Sequence, residues 1–481
     1  MRVTSGGEGD ALIFGGKDTP VTSTLLDVAE RYDLIIAGAT LVEPTGRERA
    51  DLGITEGRIA ARGDLTSSDA ERRVDASGLL LLPGVIDSQV HFREPGLTQK
   101  EDFETGSRAA VLGGVTSVFD EPNVDPPTTT KEALDDKLAR ASGRMWCNFA
   151  FWVGASMENL DLIWTLDPLP GSPGIGEVFM GSSTGPLLVA DDDSLRKVLR
   201  GATRRVAIHA EDEERLLVRR EIRRAGDASS HPEWRDVESS VNATRRILAI
   251  SAETGRPVHI LHVSTAEELP LLADAKNRWG TSCEVTPQHL TFTADDYAEM
   301  GARLQMNTPI REARHRDALW AAVRDGLFDV IGSDHAPHTL EEKAKPYPES
   351  PSGMPGVQTL LPVMLDHAAA GRLAIEDVVR LTSTGPAELF RCVGKGCFDL
   401  GYDADLVLVD PEARWEVTDA AMASKCGWTP YAGRTLTGRV IHTFVGGAWA
   451  VREGELFEGP LGRPVLFAPP VAGGSAVPVV E

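Results

Sequence analysis

Four apolar runs of the chain end on a residue that can bind a metal ion. His91, His209 and His262 each close such a run, and Asp334 closes a fourth. Imidazole and carboxylate groups are usual ligands of zinc in hydrolytic sites, where one coordination position stays free for water. A single buried histidine is more often a packed core residue than a ligand, but four such residues at four run ends favour one shared site. The pattern therefore predicts an open metal site.

Arg93 adds a potential carboxylate-binding group to the run that ends at His91. It stands two residues after His91, so an extended backbone places both side chains on one side, together with that of Gln89. A guanidinium binds a carboxylate through two parallel hydrogen bonds. We therefore expect a substrate with a free carboxylate. Asn123 and Asn307 also stand at or beside run ends, where substrate contact and turn formation are equally consistent with their positions.

Eight short apolar runs carry these residues, with candidate helices in most of the gaps. Buried strands that alternate with helices are typical of a closed parallel barrel, whose chemistry lies at the carboxyl ends of the strands. The sequence thus predicts an α/β fold with a TIM-like (β/α)8 barrel. The runs are Leu79–His91, Thr116–Pro122, Cys147–Val153, Gly176–Met180, Arg205–Glu211, Pro257–Ser264, Ser282–Gln288 and Phe328–His338.

Strand-like segments on both sides of the barrel predict a second, smaller domain. They begin at Asp33 and return at residues 401–411 and 434–451. Because the two ends of a domain commonly lie close together, these flanks are expected to pair as one β-sandwich. The predicted division is an N-terminal extension at 1–31, the sandwich at 32–83 with 388–455, the barrel at 84–387 and a C-terminal arm at 456–481.

Composition narrows the function classes. A net charge of −23 argues against nucleic acid and anionic membranes as partners, since both require basic patches. The five cysteines form no CxxC pair, which favours reduced thiols over a disulfide framework or a thiolate metal site. No signal pattern precedes the fold and no run of about 18 apolar residues is present, so we expect a cytoplasmic protein.

The motifs of the chain resemble those of the dihydroorotases, within the amidohydrolase superfamily. The resemblance covers nearly all of residues 33–450. The motifs that carry it are PGVIDSQVHFREPG at 83–96, EPN at 121–123, FMGSSTG at 179–185, HVST at 262–265, MNTPIR at 306–311 and GSDHAPH at 332–338.

The resemblance implies a metal-dependent hydrolase of cyclic amides. It implies one or two zinc ions, and His91, Glu177, His209, His262 and Asp334 are the expected metal ligands. Asp334 would also be the catalytic residue that shuttles protons. A carboxylate-bearing cyclic substrate would be surrounded by Arg93, Asn123, Asn307 and His338. A homodimer is a further expectation from the family.

The chain departs from the family pattern at its metal positions. Gln89 replaces the first histidine of a His-x-His pair, and Glu177 stands where a carbamylated lysine or, in some members, an aspartate bridges the metals. Gln288 stands where a histidine often follows the seventh strand. Because an amide is a poorer zinc ligand than imidazole, the metal count stays open.

Three functions remain open at this point. The first is a dihydroorotase of pyrimidine biosynthesis, which interconverts dihydroorotate and N-carbamoyl-aspartate. The second is a non-catalytic dihydroorotase-like subunit that partners aspartate transcarbamoylase. The third is a hydantoinase or allantoinase, since these enzymes share the barrel. Arg93 favours a substrate with a free carboxylate, which dihydroorotate has and hydantoin lacks.

Overall fold

The computed structural model describes residues 31–182 and 186–469. Residues 1–30 of the predicted N-terminal extension lie outside the described residues, as do residues 183–185 of the FMGSSTG motif and residues 470–481 of the predicted C-terminal arm. Within the described residues, no helix has the length and apolar character needed to cross a bilayer.

Strands in the described residues are numbered along the chain. They are β1 Tyr32–Glu43, β2 Gly46–Thr55, β3 Arg58–Gly63, β4 Ala70–Asp75, β5 Leu80–Pro83, β6 Val85–Val90, β7 Val115–Asp120, β8 Asn148–Phe151, β9 Val178–Phe179, β10 Val206–His209, β11 Val258–Ile260, β12 Ser282–Val285, β13 Val330–Ile331, β14 Leu406–Glu416, β15 Thr435–Val445, β16 Ala448–Arg452 and β17 Glu455–Leu456.

The α-helices are numbered in the same way. They are α1 Phe103–Leu112, α2 Lys131–Ala141, α3 Ile163–Leu166, α4 Asp192–Gly201, α5 Glu213–Val218, α6 His231–Trp234, α7 Val237–Thr254, α8 Leu269–Trp279, α9 Pro287–Thr291, α10 Tyr297–Met300, α11 Ala313–Arg324, α12 Leu340–Lys343, α13 Leu360–Ala369, α14 Ile375–Val379 and α15 Gly385–Leu389.

Strands β6 to β13 are parallel and form the barrel. They pair as a three-stranded sheet, β6–β8, and a five-stranded sheet, β9–β13. Two parallel bridges, Val90–His335 and Val153–Ile175, join the edges of these sheets. Each predicted apolar run contains one barrel strand. The prediction of a TIM-like (β/α)8 barrel is therefore confirmed.

The first apolar run contains two strands, because the chain passes from one sheet to another at Gly84. Strand β5 ends at Pro83 and β6 begins at Val85. A Cβ atom at position 84 would lie 2.1 Å from Oγ1 of Thr116, at the start of β7. A residue without a side chain is needed for this close approach.

The inside of the barrel has an apolar layer that supports the polar strand ends. Seven inward-facing side chains, in or directly after six of the strands, form it: Ile86, Phe119, Ala150, Trp152, Ala207, Leu261 and Val330. Phe390, which follows α15, packs edge-on against the rings of Phe119 and Trp152 and so closes this layer. The Trp152 indole donates a hydrogen bond to the Ser88 carbonyl oxygen across the barrel at 3.1 Å.

The nine other strands form one sheet that draws on both flanks of the barrel. Its order is β17-β16-β15-β14-β5-β1-β2-β3, and β4 pairs with β1. The flanks meet where β14 runs antiparallel to β5, with Leu408 opposite Leu81. Apolar side chains from both flanks, such as Ile36, Leu52 and Phe444, share one core. The prediction of a small β-domain built from both flanks is confirmed.

The packing of Phe390 against the apolar layer inside the barrel predicts that this residue contributes to stability. Phe390→Ala should lower the free energy of unfolding by about 3–5 kcal/mol, because it empties the centre of the apolar layer. Phe457→Ala is the matched control, since the Phe457 side chain is 51% exposed and lies far from the barrel interior. Denaturant unfolding followed by circular dichroism measures both variants. Equal losses for the two would contradict the packing described above.

Candidate active site

The carboxyl ends of the barrel strands surround a cavity of about 510 Å³. Every residue that the sequence analysis assigned to the site lines this cavity. They are His91, Arg93, Asn123, Glu177, His209, His262, Asn307, Asp334 and His338. The Pro-rich segment 348–353 and Tyr347 line its rim.

Glu177, His209 and His262 form a compact cluster of potential metal ligands. One ligand atom of each residue lies within 4.8 Å of those of the other two. Oε1 of Glu177 is 2.9 Å from Nδ1 of His209 and 3.3 Å from Nε2 of His262. All three side chains are buried. Two imidazoles and a carboxylate match the donor set of catalytic zinc sites, so these residues fit a divalent metal ion.

Glu211 orients His209 from the side opposite Glu177. Its Oε2 lies 2.8 Å from Nε2 of His209 and also pairs with the guanidinium of Arg235. A metal-binding histidine usually donates its other ring N–H to a carboxylate in this way. Glu211 and Arg235 are not among the site residues predicted from the sequence. The alternation of the HAE segment was the available signal, since it places Glu211 on the same side of the strand as His209.

The hydrogen bonds and ion pairs of His209 and Glu211 determine the protonation states of these two residues. Burial lowers the pKa of His209, but its hydrogen bonds with Glu177 and Glu211 outweigh burial and raise the pKa to about 9. Burial raises the pKa of Glu211, but the charge of Arg235 and the contact with His209 bring it down to about 2. His209 in the metal-free protein therefore carries a proton at the position where a metal would bind.

His91 and Asp334 form a second pair on the cavity wall. Nε2 of His91 lies 3.1 Å from Oδ1 of Asp334, and its Nδ1 lies 2.7 Å from Oδ1 of Asn123. Gln288 donates a hydrogen bond to the Ser333 carbonyl at 2.7 Å, so it fixes the strand end that carries Asp334. Gln288 thus has a structural role at this end of the barrel.

Four cavity residues have left-handed backbone conformations that non-glycine residues rarely adopt. The φ angles are 62° at Arg93, 69° at Ser182, 35° at His262 and 44° at Asp334. Each such conformation costs about 1–3 kcal/mol, and such residues cluster at functional sites. At His262 the left-handed conformation also changes the direction of the side chain. His259 and Leu261 both face the barrel interior, and the turn at His262 lets a third nearby side chain do the same.

Arg93 keeps its guanidinium available to a ligand. Its Nε donates to the Pro337 carbonyl at 3.3 Å. Nε2 of His338 lies 2.9 Å from the Ser352 carbonyl, which requires a proton on Nε2, and its Nδ1 lies 3.1 Å from Nζ of Lys100. His338 therefore cannot accept a hydrogen bond from Arg93 through Nε2. Burial and then the charge of Arg93 lower the pKa of His338 well below its usual value, so the ring is neutral.

Asn307 is held by its neighbours. Its Nδ2 donates to Oγ of Ser182 at 2.9 Å, and its Oδ1 lies 3.0 Å from Nε2 of His231. Burial and the nearby charge of Arg235 lower the pKa of His231 to about 3, so this ring is neutral. Asn307 consequently connects the wall near residue 182 with α6.

Two buried carboxylic acids lie on the inner side of the barrel near the triad. Burial, and then the charge of Glu177, raises the pKa of Glu121 well above its usual value. Burial raises the pKa of Glu284 to about 8, and the charge of Asp334 adds to the effect. Neither residue was predicted from the sequence, because the burial that raises these pKa values cannot be read from residue type. In the structure, Oε2 of Glu284 lies 3.2 Å from Nε2 of His259.

Comparisons with known proteins agree on one family. The sequence pattern described as the amidohydrolase family matches residues 80–450. A dihydroorotase of Halobacterium salinarum is 38% identical over 410 residues, which cover 83% of this chain and 92% of that protein. An allantoinase of Rubrobacter xylanophilus is 35% identical over 446 residues, which cover 90% of this chain and 97% of that protein.

Solved structures give the same result. The L-hydantoinase (dihydropyrimidinase) of Arthrobacter aurescens is similar with a TM-score of 0.87 and 29% identity, covering 90% of this chain and 100% of that one. The names of the similar proteins therefore divide among dihydroorotases, allantoinases and hydantoinases.

The raised pKa of His209 predicts how metal affinity depends on pH. A metal ligand must lose its proton, and His209 keeps its proton up to a pH of about 9. The affinity for a divalent ion should therefore rise by about tenfold per pH unit below that value and level off above it. Titration of the metal-free protein with Co²⁺ between pH 6.5 and 8.5 measures the slope. An affinity that does not change over this range would contradict the assignment of His209 as a ligand.

Proposed function

The chain belongs to the amidohydrolase family, and we propose that within this family it is a dihydroorotase. It would interconvert dihydroorotate and N-carbamoyl-aspartate with a divalent ion held by Glu177, His209 and His262. The observation that carries this proposal is that Arg93 and the triad line the same cavity, with the Arg93 guanidinium available to a carboxylate.

The donor set supports a metal-dependent reaction. A divalent ion bound by these residues would supply the Lewis acidity that activates water and polarises a ring amide carbonyl. Glu211 and Arg235 hold His209 in the orientation that ligation requires. Zinc suits two imidazoles and one carboxylate.

In this proposal Arg93 and Asn123 bind the substrate. The two terminal nitrogens of the Arg93 guanidinium can bind a ring carboxylate with two parallel hydrogen bonds. Because Oδ1 of Asn123 faces Nδ1 of His91 at 2.7 Å, its Nδ2 is directed elsewhere and can donate to a substrate carbonyl. Lys100 lies on the same wall, where its ammonium contacts Nδ1 of His338 at 3.1 Å and the Glu342 carboxylate at 3.3 Å.

In the proposed reaction Asp334 transfers the proton. In the hydrolytic direction, the oxygen of water adds to the ring amide carbon and the C–N bond breaks. Asp334 takes the proton from water on its carboxylate and returns it to the leaving nitrogen. The contact with Nε2 of His91 at 3.1 Å holds Oδ1 in position for this transfer.

The residues of this cavity also argue against the two alternative functions, a non-catalytic subunit and a hydantoinase or allantoinase. A non-catalytic subunit that partners aspartate transcarbamoylase would have no need of a histidine oriented by a buried carboxylate and arginine. Hydantoin and allantoin lack a carboxylate, so neither uses the charge of Arg93. These contrasts support dihydroorotate as the substrate, and direct assay of the three substrates side by side compares the candidates.

Removal of the metal gives one test. After dialysis against a chelator, the protein should lose dihydroorotate hydrolysis, and added Zn²⁺ or Mn²⁺ should restore it. His209→Asn should keep its fold by circular dichroism but should not regain activity on metal addition. A chelated protein that retains full activity at a metal content near zero would contradict the proposal.

Substitution of Arg93 tests the substrate class. Arg93→Ala should raise KM for dihydroorotate by about 10- to 100-fold, the loss expected for a charge-assisted hydrogen-bond pair. Activity on allantoin or hydantoin, where measurable, should change far less. Arg245→Ala is the matched control, because Arg245 is exposed and lies outside the cavity. An unchanged KM for dihydroorotate in Arg93→Ala would refute the carboxylate assignment.

A further inference from the structure

Four arginines line a small cavity of about 170 Å³ at the amino ends of the barrel strands, called here the arginine cavity. Arg204 and Arg205 directly precede β10, and Arg256 stands two residues before β11. Arg391 follows α15 and is exposed to solvent. Because the barrel strands are parallel, the arginine cavity lies at the end of the barrel opposite the candidate active site.

The three arginines that precede strands donate hydrogen bonds only to backbone carbonyls of the described residues. The accepting carbonyls are those of Ser172 (from Arg204), Val258 and Gly280 (from Arg205), and Leu199 and Thr203 (from Arg256). Among the described residues, none of these three arginines forms an ion pair with a carboxylate. Nε of Arg204 is buried without a hydrogen-bond partner. Because the bonds use Nε and Nη1 atoms, Nη2 of each guanidinium remains available to a ligand.

The carboxylates near these arginines do not balance their charge. Oδ2 of Asp167 accepts the backbone N–H groups of Thr203 at 2.9 Å and of Arg204 at 3.0 Å. Asp329 forms an ion pair with Lys276 at 2.6 Å. Burial lowers the pKa of each of the three arginines, and the charges of the two carboxylates oppose this effect only in part. Positive charge is therefore in excess at this end of the barrel, in a protein whose net charge is −23.

We propose that the arginine cavity binds a phosphate group, either inorganic phosphate or the phosphoryl end of a larger ligand. Guanidiniums bind phosphate oxygens through pairs of parallel hydrogen bonds, and several guanidiniums together favour a multiply charged anion. The volume of about 170 Å³ is smaller than the roughly 300 Å³ at which pockets for drug-sized ligands begin, so a compact group fits. This inference does not depend on the proposed function.

Binding in the arginine cavity would connect the first residues of two strands that lead to the triad. Strands β10 and β11 are paired in parallel. At their other ends, His209 is the last residue of β10 and His262 follows β11. A phosphate that contacts both Arg205 and Arg256 would hold the starts of these strands together. We therefore expect phosphate to stabilise the folded protein.

Isothermal titration calorimetry of the full-length protein with inorganic phosphate at low ionic strength tests the proposal. The wild type should bind phosphate with a Kd of about 1 mM or below. The double variant Arg204→Gln/Arg391→Gln should bind at least about tenfold more weakly. Arg391→Gln alone changes an exposed side chain and should weaken binding by about 3- to 10-fold. Arg49→Gln is the matched control, because Arg49 is exposed on β2 and lies outside the cavity, and it should bind phosphate as the wild type does.

A further variant excludes binding of phosphate in the candidate active site. Arg93→Ala removes a guanidinium of that cavity and should leave the affinity for phosphate unchanged. Loss of binding in Arg93→Ala would overturn the inference, since the phosphate would then lie at the opposite end of the barrel. Equal affinity of the wild type and the double variant would also overturn it, as would no binding by the wild type at about 10 mM phosphate.

Glycerol 3-phosphate distinguishes the two sources of the phosphate group. An affinity similar to that of inorganic phosphate supports a site for the phosphoryl end of a larger ligand, and binding of inorganic phosphate alone supports a site for the free ion.

Thermal unfolding gives an independent measurement. Addition of about 5 mM phosphate should raise the melting temperature of the wild type and of Arg49→Gln by about 1–3 °C, because the ligand binds the folded state. The double variant should show a smaller increase. An equal increase in all three proteins would contradict a specific site in the arginine cavity.

Discussion

The burial of several carboxyl groups is the constraint on which the arrangement of this site depends. Glu121, Glu177, Glu211 and Glu284 all lie inside the barrel with almost no exposure to water. A buried carboxylate is tolerated only when a cation or several donors compensate it. For Glu211 the compensation is Arg235, and for Glu177 it is the pair of histidines. The site is thus already organised around positive charge.

A series of hydrogen bonds and ion pairs connects the triad to residues farther away in the barrel. Arg311, from the MNTPIR motif, is buried and donates to the backbone carbonyl of Arg235 at 2.9 Å and to the Ser264 hydroxyl at 3.0 Å. Arg235 in turn binds Glu211, and Glu211 orients His209. Residues from three separate strand ends and loops therefore determine the direction of one imidazole ring, and such preorganisation is what a metal-ligand set requires.

Sequence patterns predicted the strands and the position of the cavity because both follow from periodicity. Each of the eight apolar runs corresponds to one barrel strand, and the polar residues at the strand ends line one cavity. Periodicity does not predict which side chains form hydrogen bonds or ion pairs with one another. Glu211 stands only two residues from His209, but its contact with Arg235 depends on the path of the chain through α5 and α6. At His262, alternation alone did not reveal the left-handed turn that brings it to the cavity.

The position of a bound ion tests the central claim most directly. Crystals of the protein loaded with Zn²⁺ give an anomalous scattering peak that locates the metal without reference to activity. If the triad binds the ion, the peak should lie about 2.0–2.2 Å from a carboxylate oxygen of Glu177 and from ring nitrogens of His209 and His262. A fully loaded, active protein whose peak lies away from these three residues would contradict it.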